Sequence, residues 1–114
     1  MLYKEVNDMI ASIGLSHAYY AFPDGTAQDP PFVVFYYAYS VDEYADNSNF
    51  KHISNLTVEL YTENKDFEKE EAVEAVLRQY GITWAKTEAV VESECMVQVT
   101  YTTEVHIEPQ ITEE

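Results

Sequence analysis

Hydrophobic residues near the start of the chain recur at the spacing of an α-helix. They are Leu2, Val6, Met9, Ile10 and Ile13. Residues three or four positions apart lie on one face of a helix, so this face is expected to pack against a core. Gly14 follows directly, and glycine is the usual residue just beyond a helix end. The pattern therefore predicts an N-terminal helix over residues 2–13.

Three segments with the pattern of β-strands follow. HAYYAF (17–22) and FVVFYYAY (32–39) flank the turn-rich PDGTAQDPP (23–31). Because FVVFYYAY is apolar on both alternating faces, we expect a strand in the middle of a sheet, covered on both sides or covered by a partner. A polar loop is predicted over 40–52. ISNLTVELYTE (53–63) then alternates as a half-buried strand, with Leu56, Val58 and Leu60 on the covered face.

The clearest helix in the sequence is NKDFEKEEAVEAVLRQYG (64–81). Asp66 is a good N-cap, several glutamates occupy the first turns where the helix dipole favours anions, and Gly81 ends the helix. The buried stripe is predicted to comprise Phe67, Val73, Val76, Leu77 and Tyr80.

Two strands complete the pattern, ITWAKTEAVVE (82–92) and CMVQVTYTTEVHI (95–107), with a hairpin junction at Ser93 and Glu94. The second strand alternates, and its covered face is predicted to carry Cys95, Val97, Val99, Tyr101, Val105 and Ile107. Cys95 is accordingly expected to be a small buried apolar residue.

The predicted order of elements is α-β-β-β-α-β-β. This order indicates an α+β fold in which helices pack on one face of a mostly antiparallel β-sheet. The length of 114 residues suits a single domain. We expect that domain to span 1–107 and residues 108–114 to form a frayed acidic tail.

The charge of the chain restricts its partners. Twenty-one Asp and Glu against six Lys and Arg give a formal net charge of −15, which repels nucleic acid and anionic lipid. Basic protein surfaces or cations are the expected partners. A single cysteine excludes a disulfide framework, and the N-terminus lacks the pattern of a signal peptide. The longest apolar run is too short to span a membrane as a helix. We therefore expect a cytosolic product.

The segment DEYADNSNF (42–50) concentrates oxygen donors. A calcium-binding EF-hand loop would need a glycine at its sharp turn and a glutamate at position twelve, where this chain has Ile53. Asp, Asn and Ser also form turns by bonding to their own backbone. We therefore predict an exposed polar loop that serves for interaction, with the candidate residues Asp42, Glu43, Asp46, Asn47 and Asn49.

Signatures of catalysis and of cofactor binding are missing from the sequence. It has no G-x-S-x-G, glycine-rich phosphate loop, C-x-x-C or H-E-x-x-H, and its three histidines are scattered. No catalytic residue, metal ligand or cofactor is therefore predicted. Glu70 and Glu74 lie one helical turn apart, a like-charge pair. They indicate either a solvated helix face or a surface that accepts Lys or Arg from a neighbouring subunit.

An ordered series of motifs resembles small proteins of tailed-phage and prophage morphogenesis. These are the tail completion, tail terminator or minor capsid (head-tail joining) proteins of long-tailed phages of Gram-positive bacteria. The series comprises P-F-V-V-F-Y-Y, A-D-N, V-E-L-Y-T-E, K-D-F-E-x-E-E-x-V-E and E-S-E-x-M-x-Q-V-x-Y. It extends from about Pro31 to Tyr101. Cys95 departs from it, since a Lys or another polar residue is expected there.

The resemblance implies a non-enzymatic protein that assembles with itself into a ring, often hexameric, at the head-proximal end of the tail. Such a ring stops growth of the tail tube and contacts the tail tube protein and a head-completion or connector protein. DNA passes through it without specific binding. The protein would be in the host cytoplasm during assembly and then at the tail-head junction of the virion. Because tyrosine is enriched at interfaces, the candidate subunit-interface aromatics are Phe35, Tyr37, Tyr39 and Tyr61.

Three functions therefore remain open at this point. The first is a structural ring protein of the phage tail-head junction. The second is a small acidic adaptor, or an inhibitor that mimics nucleic acid and binds a basic protein, which the net charge favours. The third is a carboxylate-based metal-dependent hydrolase, which the absence of any ligand spacing disfavours.

Overall fold

The computed structural model describes residues 1–22, 29–45 and 49–107, with the backbone alone at 40–45 and 49–52. The helices and strands, in chain order, are α1 (Tyr3–Ala11), β1 (Ser16–Tyr19), β2 (Phe32–Ala45), β3 (Asn49–Thr62), α2 (Phe67–Gln79), β4 (Ala85–Val91) and β5 (Met96–His106). This order confirms the predicted α-β-β-β-α-β-β arrangement and the α+β class. The predicted acidic tail, 108–114, lies outside the described residues.

The strands of the described residues form one sheet in the order β1-β2-β3-β5-β4. The β1–β2 pair is parallel, and the other three pairs are antiparallel. The apolar strand β2 lies inside the sheet with a neighbour on each side, as its pattern predicted, but the described helices cover only one of its two faces. The helix α2 connects β3 to β4, and β5 then pairs with both of these strands.

The hairpin of β2 and β3 is longer than predicted. A loop was expected over 40–52, but residues 40–45 pair with residues 49–54 in antiparallel register, so the loop prediction was wrong for 40–45 and 49–52. The segment contains neither glycine nor proline to interrupt a strand, and each arm supplies backbone hydrogen-bond partners for the other. Residues 49–52 extend beyond the register that β3 shares with β5.

Both helices pack on the same face of the sheet, where they enclose the core. The fully buried members of the core are Val6, Met9, Ile10, Val33, Leu56, Val58, Leu60, Val73, Leu77, Val99 and Tyr101. The predicted covered face of β3 is therefore confirmed. Helix α1 is followed by Gly14 at φ +92°. The Asp66 carboxylate caps α2 by accepting a hydrogen bond of 3.1 Å from the Lys69 N–H, and Gly81 follows at φ +74°.

The buried stripe of α2 differs from the prediction at both ends. It comprises Glu70, Val73 and Leu77, whereas Phe67 is 68% exposed and Tyr80 is 40% exposed. Phe67 is the first residue of the helix, and its ring lies 4.7 Å from the Lys65 ammonium instead of in the core. The buried stripe of α2 therefore begins with the charged side chain of Glu70 and not with the aromatic ring of Phe67.

Cys95 is exposed, so the prediction of a buried residue was wrong. A turn of 3₁₀ helix, Glu92–Glu94, follows β4, and β5 begins only at Met96. Cys95 makes the reversal between them with φ +55°, in the left-handed region. The hairpin needs that conformation at this point, and it removes the side chain from the alternation of β5.

Candidate interaction surface

The sheet face opposite the two helices, here called the open face, carries tyrosines and polar side chains. Strand alternation places Val34, Glu59 and Thr100 side by side on it, because Val34 pairs with Glu59 and Glu59 pairs with Thr100. The neighbouring row joins Phe32 to Tyr61. Among the described residues, neither helix contributes to this face; Val34 on it is nevertheless buried, whereas Glu59 and Thr100 are half-buried.

Glu59 is the centre of a hydrogen-bond network on the open face. The Tyr36 hydroxyl donates to Glu59 Oε2 and the Tyr61 hydroxyl donates to Glu59 Oε1, each at 2.7 Å. Gln98 Nε2 in turn donates to the Tyr61 oxygen at 2.9 Å. Each of the two carboxylate oxygens of Glu59 therefore accepts a hydrogen bond from a phenol.

The network changes the acidity of its tyrosines. The hydrogen bond to Glu59, followed by burial, raises the pKa of Tyr36 to about 12. Burial and the hydrogen bond to Glu59 also raise the pKa of Tyr61 well above its usual value. Because ionisation of either phenol would put a second negative charge beside the carboxylate, both phenols stay neutral donors at physiological pH.

Aromatic rings continue from this network toward β1. The ring of Phe32 stacks on Tyr61 with centroids 4.9 Å apart, and Phe22 meets Phe32 edge-on at 5.4 Å. Tyr20 packs against Tyr36 at 5.6 Å and is 72% exposed. Its φ of +72° is unusual for a bulky residue, and its N–H donates to the Phe35 carbonyl at 2.8 Å.

These rings form one wall of a groove of about 860 Å³ on the open face. The groove is bounded by Tyr20, Phe22, Phe32 and Tyr61 and by the carboxylate residues Asp29, Glu59, Glu63 and Glu94. Cys95 and Met96 also line it. The groove thus combines apolar, aromatic surface with negative charge.

A second cluster of charges lies between α2 and the edge strand β4. Only 2% of the Glu70 side chain is exposed. Its carboxylate forms ion pairs with two lysines, with Lys65 Nζ 2.7 Å from Oε2 and Lys86 Nζ 2.9 Å from Oε1. Lys86 Nζ also lies 2.7 Å from Glu74 Oε2, and the Tyr101 hydroxyl donates to the same oxygen at 2.9 Å. We call Glu70, Glu74, Lys65 and Lys86 the Glu70 cluster.

This cluster corrects the interpretation of Glu70 and Glu74 as a solvated face or an acceptor for a neighbouring subunit. The lysines that they bind belong to the same chain, and Glu70 is buried. Burial by itself raises the pKa of Glu70. The two lysines together lower the pKa by a larger amount, so it lies below its usual value. The pKa of Lys86 is raised, chiefly by its bonds to Glu74 and Glu70.

The predicted interaction-loop residues are not gathered in one loop. Asp42 and Glu43 lie in β2, where they pair with His52 and Lys51, and Asn49 begins β3. Asp46 and Asn47 lie outside the described residues.

The predicted interface aromatics occupy different environments. Phe35 is 4% exposed and belongs to the core, so little of it is left for a second subunit. Tyr37 and Tyr61 are half-buried, and Tyr39 is 59% exposed. Tyr61 alone among them borders the groove. Glu59 was not predicted as a site residue, although alternation along β3 places it on the same face as Tyr61.

Among the described residues, no helix is long and apolar enough to cross a membrane. Within the same part of the chain, no three His, Cys, Asp or Glu side chains are grouped so that they could hold a metal ion.

Comparison with known proteins gives a structural likeness. No family model matches the sequence, and no curated protein matches it significantly. A chain in the structure of the virion of a native gene transfer agent particle superposes with a TM-score of 0.63 and 15% sequence identity. The match covers 94% of this chain and 91% of that chain. At this identity, the match shows that the two chains share a fold.

Proposed function

We propose that this protein is a structural, non-enzymatic component of a phage-like virion. The observation that carries the proposal is the fold shared with a virion chain, because the match covers nearly the whole length of both chains. The match extends over most of both chains rather than over a short segment of either. The motif series from about Pro31 to Tyr101 supports the same conclusion independently.

The finer proposal is a ring at the head-proximal end of the tail, which ends growth of the tail tube and joins the tail to the head. Exposed aromatic side chains such as Tyr39 and Tyr20 suit a protein that buries surface between subunits. In a ring, negative charge facing the lumen would keep passing DNA from binding.

The experiment combines the purified protein with tail tube protein and measures particle mass and negative-stain images. Rings that cap the ends of tubes, together with shorter tubes as the protein concentration rises, are the expected result. Tube lengths that do not change, with no protein at the tube ends, would overturn the terminator role. A Tyr39→Ser variant tests whether Tyr39 lies at the interface between subunits of the ring. A Thr102→Ser variant, at an exposed position of the open face, is the conservative control.

The net charge of −15 favours one further candidate, an acidic adaptor or inhibitor that binds a basic protein. This candidate predicts one-to-one, salt-sensitive binding to a DNA-binding enzyme, without rings. The same mass measurement, made with such an enzyme in place of the tube protein, separates the two functions.

A further inference from the structure

The groove on the open face lacks a positively charged partner within the described part of the chain. Its lining includes the carboxylates of Asp29, Glu59, Glu63 and Glu94, and none of the described lining residues is Lys, Arg or His. Asp29, Glu63 and Glu94 are exposed. Four carboxylates on one groove make it negatively charged, and a cation that enters the groove would neutralise part of that charge.

The aromatic wall suits the same occupant. Lys and Arg side chains bury their aliphatic stems on apolar surface and place the cationic head over aromatic faces. Phe32 and Tyr61 present stacked rings beside Glu59, so a stem lying on these rings would bring its head to the carboxylates. A purely apolar segment would instead leave the carboxylates desolvated and unpaired.

A second copy of this chain is a poor source of that cation. The chain has six Lys and Arg in total. Four of these six already have a partner: Lys65 and Lys86 in the Glu70 cluster, Arg78 at 5.6 Å from the Trp84 ring, and Lys4 with Asp8. Each copy also carries a net charge of −15, so two open faces would repel each other.

We propose that the groove binds an arginine- or lysine-bearing segment of a different protein. The stem of the basic residue lies along Phe32 and Tyr61, and its head meets Glu59 and Glu63. Tyr36 and Tyr61 fix the Glu59 carboxylate for this contact through their two hydrogen bonds. The inference depends on the groove alone and does not require the protein to form a ring.

The test uses a fluorescent peptide of alternating arginine and glycine, with an uncharged peptide of citrulline and glycine as its control. Binding is followed by fluorescence anisotropy at physiological salt. The Glu59→Gln/Glu63→Gln variant should weaken binding of the arginine peptide about tenfold. The matched variant Glu68→Gln/Glu71→Gln, which removes the same charge from the exposed side of α2, should change the affinity much less.

Equal losses in the two double variants would mean diffuse attraction to a negative protein and would overturn the proposal. The absence of arginine-peptide binding to the unmodified protein, or equal binding of the citrulline peptide, would overturn it as well. Phe32→Leu, which shortens the aromatic wall without a change of charge, should also weaken binding. Rings at tube ends without peptide binding would refute this inference alone, whereas peptide binding without rings would refute only the ring.

Discussion

Lys86 on β4 and Glu70 on α2 form an ion pair across the edge of the sheet, with Nζ 2.9 Å from Oε1. The other residues of β4 contribute little burial, since every position except Val91 is exposed. The strand is therefore attached to the rest of the molecule by its backbone pairing with β5 and by ion pairs of Lys86 and Glu88, of which the contact with Glu70 is one.

Replacing Lys86 by Met should lower the free energy of unfolding by roughly 2–3 kcal/mol, because it removes one of the two lysines that compensate the buried Glu70 carboxylate. The loss is smaller than for a fully buried pair, since 36% of the Lys86 side chain is exposed. Chemical denaturation measures the change. The control is Lys4→Met, which removes the exposed ion pair of Lys4 with Asp8 on α1. An equal loss of stability in both variants would contradict a stabilising role of Lys86 beside the buried Glu70.

The stability that Glu70 contributes should depend on pH. Its pKa is lower in the folded protein than the usual value of 4.5, so its contribution is complete above pH 4.5 and is lost as the pH falls through the folded-state pKa. We therefore expect the stability difference between the protein and Glu70→Gln to shrink below pH 4.5. Denaturation curves at several pH values measure it. A stability difference that stays constant across this pH range would contradict the prediction.

Glu59→Gln should lower the pKa of Tyr36 from about 12 toward 10, because the hydrogen bond to the Glu59 carboxylate is the largest cause of the increase. Tyr37 provides an internal control, since burial is the first cause that raises its pKa to about 12. Ring-carbon NMR shifts of labelled tyrosine, followed between pH 10 and 12, distinguish the two residues. A parallel change in both pKa values would indicate a general loosening of the structure instead.

Cys95→Gly should stabilise the protein by up to about 1 kcal/mol, because glycine adopts the left-handed conformation of this position without strain. Cys95→Ala removes the thiol but keeps the Cβ, so it should leave the stability nearly unchanged. Thermal unfolding compares the two variants. The thiol should also react with a disulfide reagent in the folded protein, since it is exposed. Stabilisation of equal size by alanine would point to the thiol rather than to the backbone.

The order of the helices and strands could be predicted from the sequence because each element is marked by residues that are close together in the chain. The N-cap Asp66, the glycines after both helices and the alternation of β3 all depend on residues close together in the chain. The length of the β2–β3 hairpin was not predicted, because polar residues that favour turns can also pair when an opposite arm satisfies their backbone groups.

The candidate site depended on distant contacts and was therefore harder to predict. The network of Tyr36, Glu59 and Gln98 joins three strands, and Gln98 is 39 positions beyond Glu59. Glu70 was missed as a buried residue for the same reason, since the Lys86 that compensates it lies on another element. Periodicity alone assigns a charged residue to the solvent and cannot locate the partner that allows it to be buried.

The position of β5 between β3 and β4 has a consequence for synthesis on the ribosome. The strand that pairs with both is the last of the described strands to emerge, so β3, with its buried Leu56, Val58 and Leu60, has an unpaired edge until then. A nascent chain that ends before Met96 cannot complete the sheet. Folding of this domain is therefore expected to be completed only after β5 has left the ribosome. Chaperones that recognise unpaired strands could bind the nascent chain before that point.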